Sequence, residues 1–142
     1  MQEVQNLPSQ QQDAILYQIS YRNEKDIDGM QKQEKLLLKG LPLTSKKERK
    51  KIQIRLLGLY EKLNEERVLG TDIKGIQLSE KLETNYSLSR EEEWTIKKIK
   101  AILLSRRGLH EQYLPIWFEL LAEHRAANRI ELVIEDLSAI AN

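Results

Sequence analysis

The sequence predicts an all-α fold, a bundle of four to five helices, on three observations. Pro and Gly are scarce, at three and six of 142 residues, so few positions break a helix. Leu, Lys, Glu and Gln are abundant, and these side chains lose little rotamer freedom in a helix. Two Ser-x-x-Glu segments, Ser45-Lys46-Lys47-Glu48 and Ser89-Arg90-Glu91-Glu92, each precede apolar residues at helical spacing, as a capping box does. The length suits a single helical domain over 1–142, large enough to bury its own core.

The elements follow in order. Residues 1–9 read as frayed, and Ser9 after Pro8 offers an N-cap. The first helical stretch spans about 10–38. Its apolar positions are Ile15, Leu16, Ile19, Ile27, Met30 and Leu37, a thin stripe that suits a half-solvated helix or one packed on another chain. Gly29 bends or breaks it, and Gly40-Leu41-Pro42 ends it. The second helix spans about 46–67. At about 100° per residue, Ile52, Leu56, Leu59 and Leu63 fall within an arc of roughly 60° and form its core face. Residues 68–88, with Gly70, Thr71, Asp72, Gly75, Thr84, Asn85 and Ser87, read as a long loop holding one helical turn near 76–83.

The third helix spans about 90–107. Glu91, Glu92 and Glu93 sit in its first turn, where the helix dipole favours acids, and Ile96, Ile99, Ile102 and Leu103 form the buried face. Gly108 supplies the residue just past its end. The fourth stretch begins near Leu109 and carries Pro115, which suits a first turn or a kink. Ile116, Leu120, Ala127, Ile130, Ile134, Leu137 and Ala141 then follow one stripe, and Ala126-Ala127-Asn128 is a place where it splits in two.

Composition closes several routes. With no Cys there is no disulfide, thiolate metal site or Cys nucleophile. No apolar run approaches the roughly 20 residues of a membrane helix. The N-terminus, MQEVQNLPSQQQ, lacks the basic and apolar regions of a signal peptide, and the expected location is cytoplasmic. There is no phosphate-binding loop, dinucleotide fingerprint or nucleophile elbow, so no enzyme activity and no cofactor are expected.

Charge is where function shows. The chain is close to neutral, at +1, yet it sorts its charges. Residues 39–55 hold Lys39, Lys46, Lys47, Arg49, Lys50, Lys51 and Arg55 against Glu48 alone. Residues 97–110 hold Lys97, Lys98, Lys100, Arg106 and Arg107 against no acid. The rest is acidic. Basic helix faces of this kind release counterions from a phosphate backbone and track it without reading sequence. The candidate nucleic-acid-binding residues are therefore Lys46, Lys47, Arg49, Lys50, Lys51, Arg55, Lys97, Lys98, Lys100, Arg106 and Arg107. Against this stands the ordinary reading of solvated helix faces, with Arg106 and Arg107 also suited to a helix C-terminus. Ile54 and Leu57 lie among the cations and hint at a further contact.

The other polar features read as bland. Trp94, in a first turn, is the better candidate for an exposed ring that stacks on a base, while Trp117 and Phe118 suit core or interface. His110 and His124 have no metal-ligand spacing and read as partly exposed polar residues. Glu91-Glu92-Glu93 and Glu135-Asp136 point to different helix faces and make no acid/base pair. Asp26-Ile27-Asp28-Gly29 lacks the remaining ligands of a calcium loop.

In size, helical content and lack of Cys, with basic faces such as Lys46, Lys47, Arg49, Lys50, Lys51, Lys97 and Lys100, the chain resembles the small helical subunits of CRISPR surveillance complexes of the Cascade type. The resemblance covers the whole chain and involves no diagnostic motif. It implies a non-catalytic subunit that presents Lys and Arg to nucleic-acid backbone within a larger ribonucleoprotein, beside other subunits or copies of itself. The alternative is a helical protein-interaction module, an adaptor or dimeric regulator, whose cations meet an acidic protein surface.

Overall fold

A computed structural model of the chain describes residues 26–142. These form six α-helices: α1 (Ile27–Gly40), α2 (Lys46–Glu65), α3 (Thr71–Asn85), α4 (Arg90–Arg106), α5 (His110–Ala126) and α6 (Ile130–Ala141). A 3₁₀ turn, Leu41–Leu43, links α1 to α2, and the described residues contain no strand. The expected all-α fold is the observed one. Residues 1–9, the Ser9 cap and the 10–25 part of the first predicted helix lie outside the described residues. The described residues separate into two compact units that divide between Thr71 and Asp72.

In the first unit, Asp26 caps α1 by accepting from the Gly29 amide, so the segment that suggested a calcium-loop fragment is a helix start. The buried face of α1 is Gly29, Met30, Gln33, Leu37 and Gly40. It packs on α2, whose N-terminus is capped by the Ser45 hydroxyl accepting from the Glu48 amide at 3.3 Å. The core face of α2 is wider than the predicted stripe. Ile52, Leu56, Leu59 and Leu63 are buried as expected, and Leu57 and Tyr60 join them. Leu57 is thus a core residue, and only the half-buried Ile54 remains among the cations.

The second unit contains the main departure from expectation. Residues 68–88 are not a loop, for α3 occupies 71–85. Its buried face is Thr71, Gly75, Ser79 and Leu82, spaced at helical intervals but made mostly of small residues. A stripe of Thr, Gly and Ser does not register as apolar, so the periodicity is hidden.

The Ser89–Glu92 capping box is complete. The Ser89 hydroxyl accepts from the Glu92 amide, and the Glu92 carboxylate accepts from the Ser89 amide. Helix α4 is buried along two sides, Trp94–Ala101–Leu104 and Ile96–Leu103, while Ile99 and Ile102 are half-buried. It ends in a left-handed Gly108 (φ 73°), where the Gly108 amide bonds the Ser105 carbonyl and the Leu109 amide bonds Leu104.

Helix α5 packs against both α4 and α6, and Pro115 is accommodated inside it. The last stripe does split as the sequence suggested. Asn128 takes a left-handed φ of 57°, which Asn tolerates better than most residues, and the chain turns into α6. One core unites Trp94, Ala101, Leu104, Tyr113, Trp117 and Leu120.

Candidate nucleic-acid interface

The two basic blocks fall in different units and differ in what surrounds them. In the first unit, Lys46, Lys47, Arg49, Lys50, Lys51 and Arg55 occupy the N-terminal half of α2. Lys46, Lys47 and Lys51 are exposed, and Lys50 and Arg55 are half-buried and engaged in polar contacts. Lys47, Lys51 and Arg55 follow one another at four-residue intervals, a single row along the helix. Arg49 departs from this row. It lies on the core side, half-buried, with Nη2 donating to the Thr44 carbonyl at 3.3 Å, so it ties down the turn before the helix.

Glu48 is the one acid in residues 39–55, and Lys51 reaches it at 3.6 Å. Lys46 and Lys47 make no ion pair among the described residues. The placement runs against the helix's own electrostatics, because the N-terminal end of a helix dipole repels cations. Helix stability therefore does not account for cations in these first turns.

The second block is different: Lys97, Lys98, Lys100 and Arg107 are ion-paired within their own unit. Lys97, with a side chain only 12% exposed, bonds Glu93 at 2.7 Å and Glu119 at 2.6 Å and lies 3.9 Å from Glu123. Burial alone would push its ammonium down, but the bonds to Glu119 and Glu93 outweigh burial and hold it above the usual lysine range. Lys98 bonds Glu135 of α6 at 3.0 Å, and Lys100 lies 3.5 Å from Glu83 of α3. Arg107 bonds Asp72 at 2.9 Å, at the start of α3. Arg106, exposed at the end of α4, also makes polar contacts. These cations clamp α3, α5 and α6 onto α4. Their charge is largely spent on carboxylates of the same unit, which leaves little for an outside polyanion.

The carboxylates of Glu93, Glu119 and Glu123 come within 4.8 Å of one another, the spacing of a cation site. Lys97 already supplies the positive charge there. A shallow cavity of about 230 Å³ opens beside Glu93 and is lined by Glu83, Tyr86 and Leu88.

The aromatic expectations need correction. Trp94 is buried, at 5% exposure, so it presents no stacking surface. Its ring meets His124 edge-on, with centroids 4.4 Å apart, and the Arg90 and Arg129 guanidiniums lie over it at 4.9 and 5.7 Å. Trp117 is core as expected, and Phe118 is exposed. His124 is not a partly exposed polar residue either. It is buried, and Nδ1 shares a hydrogen bond with the buried Asp136 carboxylate of α6. No sequence signal marks this pair, since the partners are twelve residues apart on separate helices.

The tail stripe also faces differently than expected. Ile130, Ile134 and Leu137 of α6 are exposed, and the buried residue of that helix is Asp136. No helix among the described residues is long and apolar enough to cross a membrane. The chain matches no family model, no curated protein and no solved structure.

Proposed function

We propose that the chain is a non-catalytic helical binding subunit whose contact with nucleic-acid backbone is made by the exposed row on α2. One observation carries this reading: Lys46, Lys47 and Lys51 stand exposed in the first two turns of α2, the helix dipole opposes Lys46 and Lys47 in the first of them, and Glu48 is the one acid in residues 39–55. A cost of that kind is recovered when a phosphate backbone approaches, because bound counterions are released and the amides of a helix start favour anions. Lys46, Lys47 and Lys51 end in ammonium groups and not in the guanidinium fork that reads base edges, so binding through them is to backbone and is independent of sequence. In a CRISPR-type ribonucleoprotein such a subunit would steady a bound strand without cutting it. The ion-paired second block contributes architecture.

The test is fluorescence anisotropy with labelled single-stranded RNA, single-stranded DNA and duplex DNA over a salt series. Binding should weaken steeply with salt. Replacing Lys46, Lys47 and Lys51 together with Ala should reduce the slope of log K against log salt by about 2–3, roughly one per lost phosphate contact. An unchanged slope and affinity in that variant would overturn the assignment.

A second reading is favoured by α6. Its outward stripe, Ile130, Ile134 and Leu137, suits a protein-interaction module. That reading gains if the chain binds no nucleic acid at low salt while a co-purifying protein is lost on Ile134→Asp.

A further inference from the structure

We draw no further inference here: the strongest candidate, the outward apolar stripe of α6 formed by Ile130, Ile134 and Leu137, carries none because nothing in the structure shows what covers it, and the neighbouring acids Glu135 and Asp136 are already tied to Lys98 and His124.

Discussion

Gln33 sits on the core face of α1 with no exposure, and neither its amide nitrogen nor its amide oxygen has a hydrogen-bond partner among the described residues. A buried amide without partners costs about 1–3 kcal/mol. Gln33→Leu, close in volume, should therefore raise the stability of the protein by about 1–2 kcal/mol in a denaturant melt. A loss would mean that the amide is satisfied. Asp136 shows the opposite case. It is buried and bonded to His124, so Asp136→Ala leaves a buried imidazole without its partner and should cost about 1–3 kcal/mol by the same measurement. A change below about 1 kcal/mol would show that the pair is open to water. Neither residue stands out in the sequence: a Gln reads as surface and a lone His as ordinary, and burial alone gives them weight.

Among elements, the caps were legible because they are local. Ser45, Ser89 and Gly108 act within three or four residues of themselves: Ser89 and Gly108 do what their patterns indicated, and Ser45 caps α2 by accepting from the Glu48 amide. Gly108→Ala forces a Cβ into a left-handed backbone and should cost about 1–2 kcal/mol by thermal or chemical unfolding, although the site has open space around it. Helix α3 was illegible for the converse reason. Its buried face is Thr71, Gly75, Ser79 and Leu82, and small polar residues and Gly also mark loops.

The start of α3 is held by Asp72, which bonds Arg107 and the Ile73 amide. Burial alone would raise this carboxyl. The Ile73 amide and the Arg107 guanidinium outweigh burial and hold it below its usual value. A carboxyl depressed in the folded state stabilises above its unfolded value, near about pH 4, and that contribution fades as pH falls through the folded value. The stability gap between the wild type and Asp72→Asn should thus be present at neutral pH and close on acidification below about pH 4. Melts across a pH series would show it, and a gap constant with pH would refute it.

For the whole molecule, the segregation of charge that is visible in the sequence resolves into two blocks with different surroundings. Lys98→Ala with Lys100→Ala removes two positive charges that are tied to Glu135 and Glu83. Nucleic-acid affinity should be unchanged in that double variant and fall in the Lys46, Lys47 and Lys51 variant, with anisotropy as the readout for both. Equal losses would restore the second block as a contact surface. The sequence by itself determined the all-α class, the two Ser caps, the Gly108 stop, the split at Asn128 and the core row of α2. These depend on propensity and periodicity over a few neighbouring residues, which the chain carries wherever it folds. Only the tertiary structure decided which cations are spoken for and which way α6 faces. Lys97 meets Glu119 across 22 residues, Arg107 meets Asp72 across 35, Lys98 meets Glu135 across 37 and Arg129 meets Glu91 across 38. A charge has the same period in the sequence whether solvent or a distant carboxylate answers it, so only the path of the chain separates an open basic face from a closed one.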